Sequence, residues 1–191
     1  MIISLTGFMG CGKSSVGRRL SQLLCCPFID LDAVIEEREG RAIAEIFAAE
    51  GEAGFREIEL NILSNTLSEE SADFISDNDL QTSSEAAGSA MVLALGGGTV
   101  MTPKCAELVH SQTFCIYLKA SVDILMERIS EEISQRPLLA AHRDNLQVHI
   151  SDLLSVRAVT YERVADLVID TDSKSIEEIA ASLAAAVSAE H

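Results

Sequence analysis

The chain has 191 residues, a length that suits one α/β domain able to bury a substantial core without disulfides. Fourteen Lys and Arg stand against 30 Asp and Glu, a formal net charge of -16, so the long-range field opposes nucleic acid and anionic membrane surfaces as partners. The five cysteines (Cys11, Cys25, Cys26, Cys105, Cys115) form no CxxC pair and the histidines do not cluster, which argues against a disulfide framework or a zinc site. No apolar run approaches the roughly 20 residues of a membrane span, and no signal peptide precedes the first apolar run, so the expectation is a soluble cytoplasmic protein.

The first apolar run, Ile2 to Leu5, reads as a buried strand. Directly after it comes Gly7-Phe8-Met9-Gly10-Cys11-Gly12-Lys13-Ser14, a complete Walker A phosphate loop in its required strand-loop-helix context. Its glycines let successive N–H groups converge on a phosphate, Lys13 would reach the β/γ-phosphates, and Ser14 would offer a hydroxyl to Mg²⁺. The helix from Lys13 to Leu24 directs its positive end at the same anion, with Val16, Leu20, Leu23 and Leu24 as its expected inward face. Gly10, Cys11, Gly12, Lys13, Ser14 and Ser15 are therefore the candidate nucleotide-binding residues.

Phe28-Ile29 reads as a second short strand, and the run continues as Asp30-Leu31-Asp32 before a helix expected over Ala33 to Arg38. Two carboxylates two residues apart at the ligand edge of a sheet suit different tasks. One can hold a water of a Mg²⁺ shell; the other can take the proton of an alcohol acceptor. The plain alternative makes Asp32 the N-cap of the next helix. Phe55-Arg56-Glu57-Ile58-Glu59 follows in a helix whose Phe55, Ile58 and Ile62 face the core, leaving Arg56 and Glu59 together on another side, either as site residues or as an exposed pair.

Residues 64–90 break the pattern: acidic, serine-rich and without apolar periodicity, they read as a flexible surface insertion. Met91 to Leu95 is a third strand, and Gly96-Gly97-Gly98 directly after it strips away side chains so that backbone amides can approach a ligand. Phe114 to Leu118 and Leu167 to Ile169 complete five strands expected to be buried. Between those two, Ile129 to Asn145 is polar and poorly periodic. The chain closes on a helix over Ser175 to Val187 with Ile176, Ile179, Leu183 and Val187 inward. Alternating strands and helices imply a three-layer α/β sandwich on a five-stranded parallel sheet, with ligands beyond the carboxyl ends of the strands.

The ordered set GFMGCGKS, FIDLD, FREIE, GGG and QRPLL, followed by Arg157 and Tyr161, resembles the shikimate kinase family of phosphate-loop kinases over nearly the whole chain. The resemblance implies a single domain over 1–191 with a nucleoside-monophosphate-kinase-like fold, an insertion at 64–90 and a lid at about 129–145. It implies transfer of the ATP γ-phosphoryl group to the 3-hydroxyl of shikimate, a step of aromatic amino-acid biosynthesis, by a monomer using ATP and Mg²⁺. In that pattern Asp32 orients the acceptor hydroxyls and acts as base, while Asp30 with Ser14 serves Mg²⁺. Arg56 and Arg157 clamp the shikimate carboxylate, Glu59 braces the clamp, and Gly97 and Gly98 present amides to the substrate. Lys13 and the lid arginine Arg136 act on the phosphates during transfer, Arg128 lies along the adenine, and Thr171-Asp172-Ser173 lines the other wall of that pocket.

Gluconate and nucleoside monophosphate kinases share the loop, lid and sheet, and a non-catalytic nucleotide switch is the alternative of a different class. The arginine clamp opposes the first two, and retention of Asp32, Arg56 and Arg136 opposes the third. Two departures from the family stand out: the long insertion, and Cys11, whose thiol at a helix N-terminus beside Lys13 is expected to be oxidation-sensitive so that its modification blocks ATP.

Overall fold

The computed structural model describes residues 1–68, 90–134 and 143–189, with side chains undescribed at 130–134 and 143–145. Five parallel strands, β1 (Ile2–Thr6), β2 (Phe28–Asp30), β3 (Met91–Ala94), β4 (Phe114–Lys119) and β5 (Leu167–Asp170), lie in the order β2-β3-β1-β4-β5. Ala94 aligns with Leu5 of β1 and with Asp30 of β2, so the segments leaving β1, β2 and β3 emerge side by side at the same height.

Because side chains alternate along a strand, the central strands feed two cores. Ile116 and Leu118 of β4 join Ile3 and Leu5 against α1 (Lys13–Leu24), α5 (Val122–Ser134) and α7 (Ile176–Ala189). Cys115 and Tyr117 of β4 join Leu93 on the opposite face, under α2 (Leu31–Glu39), α3 (Ile43–Leu67), α4 (Pro103–Gln112) and the end of α6 (Arg143–Val164). The expected three-layer sandwich is thus present. β5, expected to be buried, is instead an edge strand that pairs only with β4 and leaves Val168 exposed.

Several element boundaries depart from expectation for local reasons. α1 spans the expected residues but turns Val16, Gly17, Leu20 and Ser21 inward while Leu23 is exposed. Its Gly17 presses on Phe28, where a Cβ would meet the ring at 2.4 Å, so the helix is rolled to put its smallest residue against β2. α2 begins at Leu31 rather than Ala33, because Asp30, not Asp32, is the N-cap and accepts the Asp32 N–H at 3.2 Å. α3 runs past Ser64 to Leu67, which is buried, so residues 64–67 belong to the helix and not to the expected insertion; residues 69–89 lie outside the described residues. Gly51, at φ 69°, divides α3 into two helical halves.

Both ends of the stretch expected as a lid, 129–145, are helical, since α5 continues to Ser134 and α6 starts at Arg143. Ile129 packs in the core, and a Cβ on Gly10 would meet it at 3.0 Å. Residues 135–142, Arg136 among them, lie outside the described residues. α7 starts one residue late: Ser175 precedes it, exchanging hydrogen bonds with Glu178, and Ile176 is exposed.

Candidate active site

β1 ends at Thr6 and the chain turns through the phosphate loop into α1, with Gly10 and Gly12 at φ 77° and 95°, where a side chain would be strained. The Cys11 N–H donates to Phe8 O (3.2 Å), closing the turn. Lys13 reaches back across the loop, Nζ donating to Gly7 O (2.9 Å) and Phe8 O (3.0 Å), so its charge lies over the cradle of amides. Cys11 contributes backbone to this cradle, but its side chain is only 1 % exposed and its Sγ sits 2.8 Å from where a Gly7 Cβ would stand. The thiol expected to be oxidation-sensitive is thus buried, with Lys13 Nζ 3.9 Å from its Sγ. Arg128 projects from α5 onto the loop's rim, its Nη1 donating to Gly10 O at 3.4 Å.

Ser14 and Ser15 open α1 with exposed side chains. Ser14 Oγ donates to Asp30 Oδ2 at 2.6 Å, which brings together the two residues expected to serve a metal. An alcohol and a carboxylate, both hard oxygen donors on an open face beside the phosphate loop, fit Mg²⁺, which keeps most of its waters and takes few protein ligands. Among the described residues no cluster of three or more His, Cys, Asp or Glu offers a fuller metal cage.

Asp32 stands one step deeper. Burial, and then the neighbouring Asp30 carboxylate, raise its pKa from 3.8 to about 6; Lys13 opposes this, while Glu59 and Glu36 add to it. Gly96 makes room for it: a Cβ there would lie 2.7 Å from Asp32 Oδ1.

Arg56 and Glu59, read as either an exposed pair or site residues, are not an exposed pair. Glu59 is 1 % exposed, and its Oε2 accepts Arg56 Nη1 at 2.7 Å. Its second oxygen accepts the hydroxyl of Thr99 at 2.6 Å, a buried residue that sequence reasoning missed. Thr99 opens a 3-10 turn (Thr99–Met101) right after the glycines, so this bond ties the triplet to α3. The Arg56 guanidinium lies where a Gly98 side chain would be, 2.4 Å from Nη2 to the hypothetical Cβ, and rests over the Phe55 ring at 5.3 Å.

Arg157 approaches from α6 on the other side. Its Nη1 lies 3.5 Å from Gly97 O, and its guanidinium stands 5.8 Å from the centroid of the Phe8 ring. Tyr161, one turn further along α6, donates its hydroxyl to the same Gly97 O. Arg56 and Arg157 thus flank Gly97 and Gly98, with Asp32 beside Gly96 and Lys13 on the neighbouring loop. The structure collects these expected residues at one sheet edge. Of the stretch expected to line a pocket wall, Thr171 Oγ1 donates to Lys119 O and the partly exposed Asp172 accepts the Ser121 N–H. Arg41 sits in the turn between α2 and α3, paired with Glu39 and Glu50.

Comparison with known proteins agrees with this geometry. The family model for shikimate kinase matches residues 9–78 and 76–188. A shikimate kinase of Chlorobaculum tepidum is 39 % identical over 181 residues, covering 92 % of this chain and 84 % of that protein. The Chlorobaculum parvum enzyme is 38 % identical over 181 residues, covering 92 % of this chain and 86 % of its own. Among solved structures, shikimate kinase from Acinetobacter baumannii in complex with shikimate superposes with a TM-score of 0.79 at 31 % identity, covering 99 % of this chain and 93 % of that one. The Bacteroides thetaiotaomicron enzyme gives 0.78 at 29 % identity, with 98 % of each chain covered.

Proposed function

The chain belongs to the shikimate kinase family and is an ATP-dependent kinase of shikimate; we propose that Asp32 takes the proton of the 3-hydroxyl while Arg56 and Arg157 hold the substrate carboxylate. One observation carries this reading: two guanidinium groups flank the bare backbone at Gly97 and Gly98, with the Asp32 carboxyl beside Gly96. A guanidinium grips a carboxylate through two parallel N–H bonds, and two of them fix both position and rotation of a ring bearing one carboxylate.

Asp32 has the basicity the step needs. With a pKa of about 6 it is ionised at neutral pH yet a better proton acceptor than an ordinary carboxylate, and the hydroxyl's proton passes to it as the oxygen attacks phosphorus. The glycine amides at 97 and 98 bond the substrate and the migrating group. Lys13 exchanges its loop carbonyls for phosphate oxygens, and Arg128 covers the nucleotide side of the loop. Arg136, outside the described residues, is assigned to the ATP phosphates, where its charge would offset that of the transferring group. Ser14, and Asp30 through a water, would hold Mg²⁺, which would supply charge compensation for the phosphates.

The family match divides at 76–78, inside the acidic stretch, which supports reading that stretch as an addition to a single kinase domain. A monomer working in the cytoplasm completes the proposal, supported by five unpaired cysteines and checked by sedimentation. No described helix is long and apolar enough to cross a membrane. The decisive experiment couples ADP release to a readout with shikimate, gluconate and each nucleoside monophosphate in turn. Turnover with shikimate alone is expected; preference for another acceptor, or none, removes the arginine-clamp reading. EDTA is expected to stop turnover and added Mg²⁺ to restore it.

A further inference from the structure

Three consecutive glycines carry no side chain that favours one peptide orientation, so each peptide plane in 96–98 is set by what its carbonyl bonds. Gly96 O accepts the Thr99 N–H at 3.2 Å and Gly98 O accepts the Met101 N–H at 3.0 Å, both within the local turn. Gly97 O has no local partner of this kind. It is held from outside, by the Tyr161 hydroxyl and, at 3.5 Å, by Arg157 Nη1. In a trans peptide the N–H of the next residue points away from that carbonyl, so fixing Gly97 O also aims the Gly98 N–H, on the edge opposite Tyr161. Among the described residues neither the Gly97 nor the Gly98 amide donates to a protein acceptor.

We propose that Tyr161 is a positioning residue: its buried hydroxyl locks the Gly97–Gly98 peptide so that the Gly98 amide faces the acceptor's seat, and it steadies Arg157 on the same carbonyl. The inference rests on the reading of Arg157 and the glycine triplet as that seat. Tyr161 suits the task because it cannot move. It is fully buried, its ring lies 5.1 Å from that of Tyr117, and burial first of all raises its pKa to about 12, so the hydroxyl stays a donor throughout the working range. Without the hydroxyl the carbonyl keeps only the long contact to Arg157, and a glycine–glycine peptide is free to rotate.

Tyr161→Phe removes one oxygen and keeps the ring. The expected result is a shikimate KM raised about tenfold with the ATP KM changed less than about twofold, since a misaimed amide weakens one substrate only. Unchanged KM values, an equal rise in both, or a lower melting temperature with no split between them overturns the proposal. Titration calorimetry of shikimate in the cold gives the same reading should the variant melt early. Arg157→Lys is measured alongside: a raised shikimate KM there but not in Tyr161→Phe sinks only the role of the tyrosine, whereas no effect in either sinks the clamp.

Discussion

At Asp32 the burial that serves chemistry works against folding. Its pKa of about 6 in the folded protein exceeds the unfolded value, so the native state binds this proton more tightly than the unfolded chain does. The stabilisation it gives is full below about pH 4 and is lost as pH rises through about 6. At pH 7.5 Asp32→Asn is therefore expected to abolish turnover, leave shikimate binding measurable, and raise Tm by about 2–6 °C, corresponding to roughly 1–2 kcal/mol after allowance for partial exposure. Thermal melts at pH 7.5 and pH 4 check this, because the gain should vanish at the lower pH; a variant that melts earlier at pH 7.5 contradicts it. In the wild type the same group sets the acid limb of kcat/KM, expected to fall about tenfold per pH unit below about 6. Arg157→Lys keeps the charge but loses the planar fork, so the shikimate KM should rise far more than the ATP KM in steady-state kinetics.

Among the elements, the packing of α1 on β2 turns on one missing side chain. Gly17→Ala would place a Cβ 2.4 Å from Phe28 Cε2 and 3.1 Å from Leu5 Cδ1. The overpacking cost of about 1–3 kcal/mol exceeds the roughly 1 kcal/mol that alanine gains over glycine in a helix. The variant should melt about 2–6 °C lower with both KM values intact, as differential scanning fluorimetry and kinetics would show. What could be read from the sequence follows the range of the interactions. The phosphate loop lies within eight consecutive residues, and β3 announces itself as an unbroken apolar run, because a central parallel strand is covered on both faces. Ser64-Asn65-Thr66 favour loops in isolation, so the sequence suggests that the helix ends at Ser64; burial of Thr66 and Leu67 extends it, with Thr66 Oγ1 donating to Ile62 O at 2.8 Å. The Glu59–Thr99 bond joins residues 40 apart in sequence, and the Tyr161 bond to Gly97 spans 64; no local spacing encodes either. The burial of the Cys11 thiol is hidden for a related reason, since the motif gives the loop's path but not which way a side chain turns from it.

For the whole molecule, charge and connectivity set the expectations. The net charge of -16 surrounds a site in which Lys13, Arg56, Arg128 and Arg157, four of the fourteen Lys and Arg, face one strand edge and give the anionic substrates a local positive field. Deleting Ser68 to Ser89 removes Glu69, Glu70, Asp73, Asp77, Asp79 and Glu85 without touching any assigned residue. The trimmed protein is expected to keep kcat and both KM values within about twofold, because loop length contributes only slowly to closure entropy. Circular dichroism showing an unfolded deletion variant would mean that the stretch belongs to the core.

The strand order makes this enzyme divisible in an unusual way. β3 lies between β1 and β2, so a break anywhere in 69–89 leaves one fragment with the phosphate loop, Asp32 and Arg56, and another with the glycine triplet, Arg157 and Tyr161, interleaved like fingers of two hands. Neither piece holds a continuous sheet, and neither holds both halves of the catalytic apparatus. Co-expressed as separate polypeptides fused to a pair of binding partners, they would form a complementation reporter whose phosphoryl transfer registers that the two partners have met.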